Sequence, residues 1–176
     1  MRILLLLSFF LHLGPKIYCQ NSANLDKKMG FNKFKLESPF SLYKSHLSFR
    51  AASKKNIQFY NYTGTDIPSI FGISYSDIVM GFYKNRLYTI SIIFTYTNEE
   101  EDELLQTKLT ELFGKARTSY DISNRSEYQW AWEWESKMVL MQLKKYKIEY
   151  FKDVPWSTEI FINSKSIDSE ILNDSF

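Results

Sequence analysis

The 176-residue sequence predicts an α+β fold: an antiparallel β-sheet with two main helices packed on one face, in the order β-α-βββ-α-βββ. Three observations predict it. Residues 77–94 and 128–151 contain runs with a period of two, which in an extended chain sort side chains onto opposite faces. Residues 99–113 carry an apolar stripe at helical spacing. Short polar pairs such as Lys84-Asn85 and Ser136-Lys137 separate neighbouring strand runs, and joints that tight impose antiparallel pairing.

Taken along the chain, Phe31, Phe34 and Leu36 form a short apolar alternation. Ser38-Pro39 then opens a helix over 39–47, with serine as cap, proline in the first turn, and Phe40, Tyr43 and Leu47 as the buried stripe. Residues 56–62 are rich in β-formers. The hairpin over 77–94 points Tyr88, Ile90, Ile92 and Phe94 one way and Leu87, Thr89, Ser91 and Ile93 the other. Between these strands, residues 63–76 form a long loop packed by its own Ile67, Ile70, Phe71 and Ile73, which reads as a lid over the core edge or, since long connections in compact domains are uncommon without a reason, as a functional loop.

The second helix, over 99–113, has Asn98 as its cap, an acidic first turn that suits the positive end of the helix dipole, and Gly114 as its terminator. Its stripe is Leu105, Leu109, Leu112 and Phe113. The acidic run needs no metal to explain it, because carboxylates crowded in sequence on a helix do not converge on one ion. Three strands follow, at about 128–135, 138–145 and 147–151. The helix-and-three-strands order thus appears twice, without residue-level identity between the halves.

The N-terminus reads as an export signal. Arg2 precedes the apolar run 3–13, which Gly14 and Pro15 end at about half the length of a membrane span. Ile17 and Cys19 occupy the minus-three and minus-one positions of a cleavage site before Gln20. The domain plan is a signal peptide over 1–19, a flexible leader over 20–30, a single α+β domain over 31–163 and a flexible tail over 164–176. In a competing reading Cys19 is retained and lipidated, although a lipoprotein signal wants a small residue where Tyr18 stands. The expected location is secreted or periplasmic, with a membrane-anchored lipoprotein as the alternative.

Cleavage before Gln20 changes the available chemistry. The net charge of +2 includes Arg2 and Lys16, so the remainder balances its charges. A balanced chain whose basic residues cluster only as Lys27-Lys28, Lys54-Lys55 and Lys144-Lys145 does not read as a nucleic-acid binder. The signal also takes away Cys19 and His12, leaving no thiol and His46 as the only histidine. No G-x-S-x-G elbow, phosphate-binding glycine loop or set of zinc ligands is present, so neither catalytic residue, metal nor cofactor is assigned. Three N-x-S/T sequons, at Asn61, Asn124 and Asn173, are close to the number chance provides.

Two features remain as candidates. Glu133 and Glu135 share one strand face at a spacing that suits paired carboxylates of a glycoside hydrolase, a spacing any exposed strand face also produces. Tyr128, Trp130, Trp132 and Trp134 line the other face of the same strand. That ladder is either the core side of the sheet or an exposed platform for sugar rings or a protein.

The export signal, the Ser38-Pro39-Phe40 helix opening, the hairpin Ile78-Val79-Met80-Gly81-Phe82-Tyr83-Lys84-Asn85-Arg86-Leu87-Tyr88 and the ending Leu112-Phe113-Gly114-Lys115 resemble uncharacterised secreted proteins of Bacteroidota. The helix-plus-antiparallel-sheet order also resembles the β-lactamase-inhibitor-protein and outer-membrane assembly lipoprotein fold group, over about residues 31–151. The sequence departs from that group in lacking a good lipobox and a cysteine pair. The resemblance implies a bias toward binding over catalysis and carries no functional residue across. The expected function is a secreted or periplasmic binding or scaffolding domain that recognises a protein or envelope component. A glycan-binding module and a carboxylate hydrolase are the alternatives.

Overall fold

A computed structural model describes residues 22–119, 128–146 and 157–175. The fold is α+β and its sheets are antiparallel. Helix α1 (Ser22–Lys28) leads into a two-stranded hairpin, β1 (Gly30–Phe31) and β2 (Phe34–Lys35). The main sheet has eight strands: β3 (Leu47–Ala52), β4 (Gln58–Tyr62), β5 (Asp77–Tyr83), β6 (Arg86–Phe94), β7 (Arg117–Ser119), β8 (Tyr128–Glu135), β9 (Val139–Tyr146) and β10 (Ser157–Ser164). Their spatial order is β3-β4-β5-β6-β10-β9-β8-β7. Helix α2 (Glu99–Phe113) joins β6 to β7, and α3 (Lys165–Asn173) follows β10.

Local chemistry sets the clearest elements. At the β5–β6 turn Lys84 and Asn85 have φ of 47° and 61°, the left-handed pair that a tight hairpin matching strand twist requires. Helix α2 opens on a capping box: the Asn98 side chain accepts from the Glu101 amide at 2.9 Å, and the Glu101 carboxylate accepts from the Asn98 amide at 3.1 Å. Its Leu105, Leu109 and Phe113 are at most 1% exposed, each contributing roughly 1.5–3 kcal/mol of burial. They pack with Ile90, Ile92, Phe94, Met141, Leu143 and Ile160 in the main core.

Asp102, in the first turn of α2, is 3% exposed. Lys145 of β9 donates to it, and so does the Thr158 hydroxyl of β10 at 2.5 Å, while Thr97 and Thr158 share a hydrogen bond of 2.9 Å. The acidic first turn therefore does more than complement the helix dipole: one of its carboxylates bolts α2 to the centre of the sheet.

Several expectations give way to this arrangement. Residues 39–47 form two 3₁₀ turns, Phe40–Leu42 and Lys44–His46, in place of one helix, and Leu47 begins β3. The cause is tertiary pairing. Leu87 donates to the Ser38 carbonyl at 2.9 Å and Phe40 to Asn85 at 2.8 Å, so the backbone before and after Pro39 is spoken for by the hairpin. The second large helix is α3, and it lies on the opposite face of the sheet from α2, where Ile167 and Ile171 pack with Ile57, Tyr83, Phe59 and Tyr88. The residues read as a flexible tail thus comprise the end of β10 and a docked helix. The residues read as a flexible leader include α1, whose Leu25 is 1% exposed.

The alternation in β6 is broken by a bulge. Gly81 pairs with Thr89 but Phe82 pairs with Leu87, so Leu87 turns into the main core and Tyr88 faces α3, its hydroxyl donating to Asp168 at 2.8 Å. The strand expected over 147–151 and the cleavage region around Cys19 lie outside the described residues.

Candidate functional site

The aromatic ladder on β8 divides. Trp134 is 2% exposed in the main core, and its indole N–H donates to the Gly114 carbonyl at 2.7 Å, tying β8 to the end of α2. Trp132 is half-buried against the same core. These two indoles pack the interior. The side chains of Tyr128 and Trp130 lie outside the described residues, where the pairing with β9 is also bulged.

On the other face of β8, Glu133 and Glu135 border a cleft of about 230 Å³. Arg117 of β7 donates to both, reaching Glu135 at 3.3 Å. Gln142 donates to Glu133 at 2.8 Å and Lys165 to Glu135 at 2.7 Å. The hydrogen bond and charge of Lys165, aided by Arg117, hold the Glu135 carboxyl below the usual glutamate range. A general acid of a glycosidase needs its pKa raised, so Glu135 is shifted the wrong way for that role.

His46 is exposed at the end of the second 3₁₀ turn, its ring 5.9 Å from that of Tyr62. The loop 63–76 is fastened rather than open. Tyr62 donates to Asp66 at 2.6 Å, Lys33 donates to both, and Ile70 and Ile73 exchange backbone hydrogen bonds at 2.9 Å each. Hydrogen bonds from Lys33 and Tyr62 lower the Asp66 pKa to about 2. Beside this loop Phe31, Phe71 and Phe113 wall an apolar cleft of about 200 Å³ with Lys28 at its rim.

The most unusual surface lies at the β3 edge. Among the described residues this strand ends the sheet, and all of its residues after Leu47 are exposed. Phe49 is 61% exposed and Leu42, in the preceding turn, 65%. Phe49 begins a chain of aromatic contacts that runs into the core: Phe49 to Tyr60 at 5.6 Å, Tyr60 to Phe40 at 5.0 Å and Phe40 to Phe82 at 5.1 Å between ring centroids. Around it stand Lys44, Arg50, Lys54 and Lys55, all exposed, and no acidic residue occurs between Glu37 and Asp66.

The sequence reading passed over this site, because Phe49 belongs to no clear alternation. The acid-free run of 28 residues from 38 to 65, within a chain of balanced charge, was the available signal. Among the described residues no three His, Cys, Asp or Glu side chains gather as a metal site, and no helix is long and apolar enough to cross a membrane. Comparison of the chain with family models, with curated proteins and with solved structures gives no match in any of the three.

Proposed function

We propose that this chain is an exported, secreted or periplasmic, non-enzymatic domain that binds or scaffolds a protein or envelope component. The observation that carries the reading is the β3 edge, where large apolar side chains are exposed beside a strand that, among the described residues, is paired on one side only. Exposed aromatic anchors backed by a rigid core are costly to keep in water and supply contact area to a partner at low entropy cost. The polar clusters are of a different kind. Lys33 with Tyr62 and Asp66, Asp102 with Lys145 and Thr158, and Arg117 with Glu133 and Glu135 each join one element to another.

Export is supported by the Arg2 charge and the apolar run over 3–13. The reading is tested by affinity capture on the immobilised chain from envelope and secreted fractions of the native cell, competed by free chain. A partner that is retained saturably and displaced by competitor is the expected result. Turnover of a glycoside or peptide substrate that Glu133→Gln with Glu135→Gln abolishes would overturn it.

A further inference from the structure

The backbone of β3 has a definite hydrogen-bonding phase against β4. The Thr63 amide donates to the His46 carbonyl at 2.8 Å, and Leu47 and Phe49 stand opposite Tyr62 and Tyr60. In an antiparallel ladder this makes both of those pairs the non-hydrogen-bonded kind. The N–H and C=O of Phe49 therefore point away from β4, off the edge of the sheet. A donor and an acceptor presented side by side on an edge are a template for one more strand.

Natural edges are blunted by charge, brevity or bulges. In β3 the register shift between Phe49 and Ala51 confines the template to the neighbourhood of Phe49. The surrounding charge has one sign, from Lys44, Arg50, Lys54 and Lys55. A second copy of this chain docked β3 to β3 would set those cations against themselves. An acidic segment would meet them favourably, and its alternate apolar side chain would land on the exposed Phe49 ring.

We propose that the β3 edge accepts an extended acidic segment of a partner protein as an added strand, hydrogen-bonded to the Phe49 backbone and packed on the Phe49 ring. This rests on the protein-binding reading above and adds the chemistry of the partner to it.

The test is fluorescence anisotropy with the whole chain and a labelled peptide of alternating Glu and Val. Two counterparts accompany it: one with Lys for every Glu, and one with alternate backbone amides N-methylated. The Glu peptide is expected to bind saturably and more weakly as salt rises, with both counterparts weaker by about tenfold, a loss of one hydrogen-bonded or charge-paired contact. Phe49→Ala should weaken binding by about tenfold or more while far-UV circular dichroism and melting stay unchanged. Lys54→Glu with Lys55→Glu, on exposed positions, is the second variant and should weaken the Glu peptide while strengthening the Lys peptide.

Equal binding of the methylated peptide, equal binding of the Lys peptide, or no saturation would overturn the proposal. So would a dimer in sedimentation that Phe49→Ala disperses, which would assign the edge to a second copy. A protein captured from the envelope and held equally by the Phe49→Ala chain would sink the strand proposal alone and leave the broader binding function standing.

Discussion

Breaking the Asp102–Lys145 pair is expected to be among the costliest single changes in the protein. The two side chains are 4% and 13% exposed, whereas every other ion pair among the described residues has at least one partner that is 37% exposed or more, or both near that level. Asp102→Ala removes, from a largely buried site, the carboxylate to which both the Lys145 ammonium and the Thr158 hydroxyl donate. Removing one member of a buried pair costs about 3–5 kcal/mol. With a urea m-value of about 2 kcal/mol per molar, that is a fall of about 2 M in the midpoint. Asp102→Leu with Lys145→Met removes both charges and is expected to recover most of the loss, because an apolar replacement owes no desolvation. Urea titration followed by tryptophan emission, with equal m-values required for comparison, measures both. A loss below about 1 kcal/mol for Asp102→Ala, or a double variant as unstable as the sum of the singles, would refute the reasoning.

Trp134→Phe should cost about 1–3 kcal/mol by leaving the Gly114 carbonyl without its donor, seen as a lower urea midpoint with the fold intact by circular dichroism. Asp66 should titrate near 2 by carboxyl NMR. Since its folded pKa lies below the ordinary aspartate value of 3.8, its tie to Lys33 stabilises the loop at and above that value and is lost as pH falls toward 2. Ile167→Ala with Ile171→Ala should strip hydrogen-exchange protection from residues 165–173 and leave that of β6 and β10 in place, because those two side chains hold α3 to the sheet.

What was legible in the sequence was what neighbouring residues decide between themselves. Asn98, Gly114 and the spacing of Leu105, Leu109 and Phe113 bounded α2 over the residues it occupies, and Lys84-Asn85 marked the hairpin turn. Period-two alternation put Trp134 on one face with Trp132 and left open whether that face was core or platform; the helix α2 end packed on it decides for core. Distant partners decided the rest. Proline and aromatic spacing at 39–47 suit a helix, yet pairing with residues 85–87 wins the backbone. Strand β10 shows no period-two run along its length, because it buries Ser157, Thr158, Asn163 and Ser164 as well as Ile160 and Ile162. Helix α3 was within reach: Ser164 caps the Ile167 amide, and Ile171 follows one turn on. The β3 edge carries no local pattern, since exposure and a missing neighbour are properties of the assembled sheet.

The position of β10 governs when this sheet comes into being. Strands β6 and β9 never touch each other in the ladder; β10 sits between them and pairs with both. A chain that emerges N-terminus first holds β3 to β6 and β7 to β9 as two unjoined ribbons until β10 arrives to close the gap. The Thr89 hydroxyl waits for the Ile162 carbonyl, 73 residues later, before the seam can form. Pairing across so long a separation makes assembly slow. A change that keeps β10 out of the ladder, such as a proline in the middle of Ser157–Ser164, would therefore part the sheet between β6 and β9.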